Sequence, residues 1–279
     1  SVTEAETLRR DPYAVYAKRI LDLAPLDPLV RDPDFADRGA LIHAVMEDAA
    51  RAGIDWTAAD AAGRLQALAR ARFDEEGLPP EIDAVWWARM LAAVPDIVAW
   101  EAGRQHRIAR THAETRARPT PIALTGVTLR GRADRIDVRS DGRADIIDYK
   151  TGSAPSGKEV DAMFAPQLPL EAALMARGAF TEADARQPGA LIYVRLGPRG
   201  EIVPKTVSGG RYPDADELAE RAWRKLEGLC AHFGHATSAY VSRVAPQREE
   251  DLDGDYDHLA RTREWMNAQN GGGHGPAGA

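Results

Sequence analysis

Residues 131–150 read GRADRIDVRSDGRADIIDYK, and this stretch decides which fold the sequence predicts. It contains two short apolar runs joined by a Ser-Asp-Gly segment, a pattern typical of two strands and a hairpin turn. Asp134 lies in the first run, and the second run ends in Asp148, Tyr149 and Lys150. Two carboxylates and a lysine at the ends of paired strands are the groups needed to hold a divalent metal beside a reacting phosphate.

The length of the turn decides whether the two carboxylates share one face of the sheet. Side chains of successive strand residues alternate, so Asp148 and Tyr149 point to opposite faces. A two-residue turn would pair Asp134 with Tyr149 and separate the carboxylates. A three-residue loop at 140–142 would instead pair Asp134 with Asp148, and it requires a left-handed residue where Gly142 stands. The sequence therefore permits the register in which the carboxylates lie side by side and repel each other unless a cation binds.

Charged residues also occur in strands because strand ends reach water. This interpretation suits Asp137 and Asp145, which we expect to be solvated. It suits Asp148 poorly, because Asp148 follows the apolar pair Ile146-Ile147.

The bulk composition is that of a soluble globular protein. The chain has 279 residues, 44% of them hydrophobic, enough for one large domain or two small ones with a sizeable core. It has no run of about 18 apolar residues and no signal peptide at its start, so no membrane segment is predicted. The single cysteine, Cys230, excludes a disulfide within the chain and fits a reducing, cytoplasmic location.

Charge is distributed unevenly along the chain. The formal net charge of -7 argues against nonspecific binding of polyanions by the whole surface. Ten arginines nevertheless lie between Arg104 and Arg143, against four acidic residues in the same stretch. A basic zone around the strand motif suits a polyanionic substrate, and a solvated arginine-rich face accounts for the same charge equally well.

Hydrophobic periodicity predicts helices through residues 3–118 and a β region after them. Thr3 is expected to cap the first helix with Glu6 as its capping-box partner, and Asp11-Pro12 to start a second helix. The other predicted helices cover about 37–53, 57–76, 81–115, 167–178 and 214–235. The predicted strands cover about 122–130, 131–138, 144–150, 189–196 and 201–207.

The motifs together resemble the PD-(D/E)xK nuclease superfamily in its RecB-like branch. GRAD at 131–134, the IIDYKTG strand at 146–152 and the QLPLEAAL helix at 167–174 follow the order of that branch's core motifs. The resemblance implies an α/β fold with a restriction-endonuclease-like αβββαβ core, in which a mixed sheet is flanked by helices.

The N-terminal part of the chain narrows the resemblance. VTEAETLRRDPYAVYAKRILDLAPLDP at 2–28 and DRGALIHAVME at 37–47 resemble the C-terminal nuclease domain of the AddB subunit of α-proteobacterial helicase-nucleases. The resemblance covers roughly Val2 to Trp265. It begins with no helicase motor ahead of it, so we expect the sequence to be a domain excised from a longer protein.

The resemblance also implies a domain organisation. A single nuclease domain is expected at 1–265, with a mainly helical part at 1–118, a catalytic core at 119–235 and a C-terminal segment at 236–265. The acidic run 249–257 and the Gly-rich tail at 266–279 are expected to be disordered.

The resemblance assigns roles to particular residues. It implies metal ligation by a helical histidine, two acidic residues and a main-chain carbonyl, and catalysis by the acidic residues, a lysine and a glutamine. The matching positions are His43, Asp134, Asp148 and the carbonyl of Tyr149 for the metal, and Asp134, Asp148, Lys150 and Gln167 for catalysis.

The chemistry of these groups agrees with such roles. Carboxylate and carbonyl oxygens select a hard cation such as Mg²⁺, which Mn²⁺ can replace. The cation activates water and neutralises charge on the phosphate. Lys150 would orient the nucleophile and stabilise the pentavalent transition state, and His43 would have to be neutral to bind metal.

The chain departs from its relatives at two points. Glu171 stands where the branch often has tyrosine, four residues after Gln167, which puts the substrate-facing role of that position in doubt. Many relatives carry four cysteines that hold an iron–sulfur cluster, whereas this chain has Cys230 alone. We therefore predict no iron–sulfur cluster.

The sequence thus predicts a Mg²⁺-dependent DNA exonuclease domain of a helicase-nuclease that acts in double-strand break repair and recombination. Its expected partners are DNA and an AddA-type helicase-nuclease subunit, with no membrane. A non-catalytic DNA-binding or scaffold module and a stand-alone nuclease of the same fold are the alternatives. A P-loop-like segment at 152–158 does not favour ATP binding, because Glu159 stands where Ser or Thr belongs.

Overall fold

Among the described residues, helices predominate in the first hundred positions and most of the strands follow them. The computed structural model describes residues 1–25, 32–197, 199–245, 254–262 and 264. The helices are α1 (Val2–Arg10), α2 (Pro12–Arg19), α3 (Phe35–Arg51), α4 (Ala61–Glu76), α5 (Pro80–Gln105), α6 (Gly157–Asp161), α7 (Gln167–Ala176) and α8 (Ala215–Phe233). The strands are β1 (Ile108–Arg116), β2 (Thr120–Pro121), β3 (Thr128–Leu129), β4 (Arg132–Arg139), β5 (Arg143–Lys150), β6 (Gln187–Leu196) and β7 (Ile202–Thr206).

The hairpin of β4 and β5 forms in the register that a three-residue loop predicts. Arg135 lies opposite Ile147, and Asp137 lies opposite Asp145. The same register, continued by one residue, sets Asp134 opposite Asp148. Gly142 ends the loop with a φ of +84°, a conformation that glycine adopts without strain. The predicted register is therefore confirmed.

The central sheet has five strands in the order β1-β4-β5-β6-β7. Its neighbouring strands are antiparallel except β5 and β6, which are parallel and joined through α7. The sequence of α5, β1, β4, β5, α7 and β6 reproduces the predicted αβββαβ core. The predicted α/β class, a mixed sheet flanked by helices, is confirmed.

Two apolar cores cover the two faces of the sheet. Ile136 and Ile146 point to one face, into a core that also contains residues of α1, α7 and α8. Ile147 and Tyr149 point to the other face, into a core with α3, α4 and α5. β5 is therefore buried on both faces, and its C-terminal end carries Asp148 and Lys150 on the same face of the sheet.

Two element assignments from the sequence are wrong. The long helix ends at Gln105, and Ile108–Arg116 forms strand β1 where a helix was predicted to continue to residue 115. Pairing with β4 provides the hydrogen bonds of this segment, which overrides its weak local pattern. The strand predicted at 122–130 is instead a two-residue ladder between β2 and β3.

The helix caps differ in part from the prediction. Ser1, with Glu4 as its capping-box partner, caps α1 in place of Thr3 and Glu6. Asp11 caps α2 with Pro12 at the first helical position, as predicted. Asp34 caps α3, and the helix begins two residues before the predicted start at Asp37.

Asp137 and Asp145 are buried, so the prediction that they reach water is wrong. Arg104 of α5 donates to carboxylate oxygens of both residues. Arg135 donates from Nε to Asp137 at 2.8 Å and forms a two-pronged pair with Glu101. Arg104 and Arg135, which belong to the arginine-rich stretch, therefore form an internal ion cluster with the buried carboxylates and compensate their charge.

The predicted disorder at 249–257 and 266–279 can be compared with the structure only where these residues are described. The Gly-rich tail at 266–279 and residues 249–253 of the acidic run lie outside the described residues. Asp257, at the end of that run, is buried and accepts a hydrogen bond from Arg243 at 3.1 Å, so this part is ordered rather than disordered. None of the described helices combines the length and apolar character needed to cross a bilayer.

Candidate functional site

His43 reaches from α3 to the end of β5. Its Nε2 atom lies 2.8 Å from the carbonyl oxygen of Tyr149. Its Nδ1 atom lies 3.2 Å from a carboxylate oxygen of Asp134 on β4. The structure thus brings together three of the groups that the sequence assigned to a metal site, although residue 43 precedes the hairpin by about ninety positions.

The two strand carboxylates flank the start of the Asp-Tyr-Lys segment. Asp134 accepts the main-chain N–H of Tyr149 at 3.0 Å, which ties β4 to the end of β5. Asp148 lies on the same face, and its side chain is 2% exposed, against 12% for Asp134. Asp134 therefore faces the opening of the site and Asp148 its floor.

Lys150 and Gln167 converge on Asp148. Lys150 Nζ lies 3.0 Å from Asp148 Oδ1, and Gln167 Nε2 donates to the same oxygen at 2.7 Å. Lys150 also donates to the Gln167 amide oxygen at 3.4 Å. Gln167 is the first residue of α7, so the crossover that makes β5 and β6 parallel also delivers the amide to the site.

Glu114 is a candidate ligand that the sequence interpretation missed. It lies on β1 with a φ of +52°, an uncommon conformation for a non-glycine residue inside a strand. One ligand atom from each of His43, Glu114 and Asp134 can be chosen so that all three lie within 4.8 Å of one another. No motif marks Glu114, and its segment was predicted to be helical, so only the fold reveals it.

The electrostatics of the site favour a cation. Burial raises the pKa of the Asp148 carboxyl, and the nearby charge of Asp134 raises it further, against the lowering effect of Lys150. Burial also raises the pKa of Glu114, and Asp134 adds to this effect. For His43, burial lowers the pKa, but the hydrogen bond and charge of Asp134 outweigh it, and the pKa is raised. Carboxylates that resist ionising together become compatible when a divalent ion binds among them.

The donor set fits a hard divalent cation. It offers carboxylate oxygens from Glu114, Asp134 and Asp148, the carbonyl oxygen of Tyr149 and one imidazole nitrogen of His43. Oxygen-rich sets of this kind suit Mg²⁺ or Mn²⁺, and a histidine ligand is compatible with Mn²⁺ in particular. The residues present therefore fit the metal that the sequence predicts.

Glu171 lies beneath Gln167 on the same face of α7, as the four-residue spacing predicts. Its side chain is fully buried, and Gln167 Nε2 lies 3.3 Å from its Oε1 atom. Its Oε2 atom has no hydrogen-bond partner among the described residues. Burial and the charges of Asp148 and Asp134 raise the pKa of Glu171 well above its ordinary value.

A polar cavity of about 490 Å³ opens beside Lys150 and Gln167. Arg10, Ser153 and Tyr193 are among its other lining residues. Its size is within the range of small-molecule sites. A larger cavity of about 580 Å³, between α1, α2 and α8, has a mainly apolar lining and shares no lining residue with the site.

The competing P-loop motif has a structural explanation. Ser156 caps the short helix α6, and Glu159 serves as its capping-box partner. The Glu159 side chain therefore closes the helix end at which a phosphate would have to bind. This arrangement agrees with the interpretation of 152–158 as a loop beside the site.

Comparison with known proteins identifies relatives. An uncharacterized protein of Rickettsia conorii is 29% identical over 190 residues, which cover 66% of this chain and 23% of that protein. An uncharacterized protein of Rickettsia bellii is 28% identical over 189 residues, which cover 67% and 23%. The chain thus spans about a quarter of the length of the curated relatives it matches.

The crystal structure of SSO0001 matches 78% of this chain and 84% of its own, with 13% identity and a TM-score of 0.26. A similarity this low has no bearing on the fold. The match to a known family is far more extensive, because it spans residues 1–269 and therefore includes every strand and helix that contributes to the site. The chain belongs to the PD-(D/E)XK nuclease superfamily.

Proposed function

We propose that this chain is a metal-dependent DNA nuclease domain that hydrolyses phosphodiester bonds from a DNA end. The observation that supports it is the convergence of His43, Asp134 and the Tyr149 carbonyl with the cluster of Asp148, Lys150 and Gln167. These groups come from α3, β4, β5 and α7, and each points to the same end of the sheet.

Mg²⁺, with Mn²⁺ as a substitute, is the proposed metal. His43, Asp134, Asp148 and the carbonyl of Tyr149 would hold it, and Glu114 is an additional candidate. The ion would activate water and offset charge on the scissile phosphate. We propose no iron–sulfur cluster.

Lys150 supplies a fixed positive charge beside the reacting phosphate. Burial lowers its pKa, but the charge and hydrogen bond of Asp148 outweigh burial and raise it, so Nζ keeps its proton at neutral pH. A protonated lysine cannot act as the base that deprotonates water. Its role in this proposal is to stabilise the charge that builds on the phosphate as water adds and the ester oxygen leaves.

Gln167 would hold the cluster in one geometry. Its amide nitrogen donates to Asp148 and its amide oxygen accepts from Lys150. Since a flipped amide would place like groups against each other, both partners select one orientation. Lys150 and Gln167 also line the polar cavity, which offers room for the nucleotide on one side of the cleaved bond.

The wider context is proposed from the sequence resemblance. The domain, at 1–265, would belong to the RecB-like branch and form the C-terminal nuclease domain of an AddB-type subunit. It would act in the cytoplasm with an AddA-type partner, in double-strand break repair and recombination. The chain spans only about a quarter of the length of its relatives, which is compatible with a role as one domain of a longer protein.

Digestion of end-labelled linear DNA tests the proposal. The wild-type protein, supplied with Mg²⁺ and joined to its helicase partner, should release labelled nucleotides, and Asp148→Asn should not. Asp141→Asn, on the exposed hairpin loop, is the matched control and should cleave like the wild type. A wild-type protein with no cleavage beyond that of Asp148→Asn would refute the enzyme proposal.

A further inference from the structure

Arg38, which precedes His43 by five residues on α3, is a buried arginine that has no acidic partner among the described residues. Its residue exposure is 8%, and its one hydrogen bond goes from Nη2 to the carbonyl oxygen of Thr151 at 3.0 Å. Within the described part of the chain, no carboxylate lies within ion-pair distance of it. Buried guanidinium groups are normally paired with an acidic group, so an anionic ligand would stabilise Arg38 in this position.

A second arginine adds to the positive charge at this place. Arg89 of α5 lines the same surface cleft as Arg38, together with Trp86 and Thr151. Among the described residues, the Arg89 side chain has neither a hydrogen bond nor an ion pair. Burial lowers the pKa of Arg38, and the charge of Arg89 lowers it further. Two cations that repel each other in the free protein become a favourable pair when an anion binds between them.

The position of the two arginines relates them to the proposed catalytic centre. On α3, His43 contacts the carbonyl of Tyr149 and Arg38 contacts the carbonyl of Thr151. Tyr149 lies in β5 and Thr151 one residue beyond its end, and two residues of extended chain span at most about 7 Å. This separation is comparable to the distance between neighbouring phosphates of a nucleic-acid strand. Arg38 is also held firmly, since α3 passes so close to Thr151 that a Cβ at Gly39 would lie 3.3 Å from Thr151 Oγ1.

An exposed aromatic ring lies at the same place. Phe35, the first residue of α3, is 80% exposed, and the Arg38 guanidinium lies 5.8 Å from the centre of its ring. A large apolar ring in water costs free energy unless something covers it. An aromatic face beside unpaired arginines matches the stacking and phosphate contacts with which proteins bind single-stranded nucleic acid.

We propose that Arg38 and Arg89 form a clamp for a backbone phosphate of the substrate strand, adjacent to the scissile phosphate, with Phe35 stacking on a base. The clamp rests on the proposed nuclease function and adds to it a specific substrate contact. Guanidinium groups suit this contact because they bind phosphate oxygens in pairs. Binding of the strand would place a negative charge between the two arginines and seat the next phosphate toward Lys150.

The test measures binding of a fluorescein-labelled single-stranded oligonucleotide by anisotropy, in EDTA so that no cleavage occurs, at several salt concentrations. Arg89→Gln should weaken binding several-fold and reduce the slope of log K against log salt by about 0.7, the value for one phosphate contact on a single strand. Arg38→Lys keeps the charge, so it should weaken binding while the salt slope stays unchanged. Arg89→Gln should not lower the melting temperature, because it removes a repulsion.

Arg64→Gln is the matched control. Arg64 is an exposed arginine on α4 that lies near Asp55. Asp55 accepts a hydrogen bond from Gln105, the last residue of α5. Sixteen helical residues separate Gln105 from Arg89, about 24 Å. The clamp is refuted if Arg89→Gln and Arg38→Lys bind the oligonucleotide as tightly as Arg64→Gln and if Arg89→Gln leaves the salt slope unchanged. The nuclease proposal stands in that case. If the wild-type protein neither binds nor cleaves DNA, both proposals fail together.

Discussion

The Nε2 atom of His43 lies 2.8 Å from the carbonyl oxygen of Tyr149, so a helix and the end of a central strand meet at one polar contact. The other ring nitrogen faces Asp134 at 3.2 Å. Both neighbours are acceptors, and their effect outweighs that of burial, which explains the raised pKa of His43. A bound cation would compensate Asp134 and take a nitrogen lone pair, so the imidazole would then be neutral.

His43→Ala is therefore expected to impair metal binding more than folding. We expect the Mg²⁺ concentration for half-maximal cleavage to rise about 10–100-fold, with cleavage partly recovered at saturating metal. Titration of Mg²⁺ against the rate of nucleotide release measures this. His106→Ala, at an exposed position after α5, is the control and should leave the midpoint unchanged. An unchanged Mg²⁺ midpoint in His43→Ala would remove the histidine from the metal site.

The internal ion cluster makes a prediction about stability. Asp137 accepts hydrogen bonds from Arg104, Arg135 and Thr111 and has no exposed surface. Asp137→Asn keeps the shape but leaves two buried guanidinium groups with one negative charge fewer. We expect a loss of about 3–5 kcal/mol in the free energy of unfolding, measured by urea denaturation.

Asp141→Asn provides the comparison for this measurement. Asp141 pairs with Arg139 on the exposed hairpin loop, where water screens the pair. Its urea midpoint should match that of the wild type. Equal midpoints for Asp137→Asn and Asp141→Asn would mean that the buried cluster contributes nothing to stability.

Local chemistry predicted the hairpin of β4 and β5 at the centre of the fold. A three-residue loop at 140–142 together with strand alternation places Asp134 beside Asp148, and the structure has this register. The positions matched through the resemblance lie around that pair. The predictive information here is local, since each step spans a turn, a strand or a short motif.

Long-range pairing could not be predicted in the same way. Arg104 and Asp137 are 33 residues apart, and nothing in either segment indicates that they meet in the core. Glu114 reaches the site because β1 pairs with β4, and the polar sequence of β1 lacks the clean alternation that marks a half-buried strand. The fold, rather than the local pattern, determines both contacts.

Tyr149 separates a main-chain role from a side-chain role. Its carbonyl faces the candidate metal site, while its hydroxyl accepts a hydrogen bond from Arg135 at 3.2 Å on the opposite face of the sheet. Tyr149→Phe removes only the hydroxyl. We expect a loss of about 1 kcal/mol in stability, because Arg135 keeps its bonds to Glu101 and Asp137, and an unchanged Mg²⁺ midpoint. A shifted midpoint with unaltered stability would contradict this division.

Glu171 gives the pH prediction. Its folded-state pKa is raised, first by burial and then by Asp148 and Asp134. Below the unfolded pKa, near 4.5, both states hold the proton and the group has no effect on stability. As the pH rises above that value, the unfolded chain releases the proton first, so the folded state loses stability until the pH reaches the folded pKa.

Glu171→Gln removes this loss of stability and keeps the shape of the side chain. Its melting temperature should therefore exceed that of the wild type by about 2–4 °C at pH 8, and the difference should shrink toward zero at pH 4.5. Glu217→Gln, on the exposed start of α8, should show no such trend. A difference for Glu171→Gln that stays constant from pH 4.5 to 8 would show that Glu171 is ionised in the folded protein.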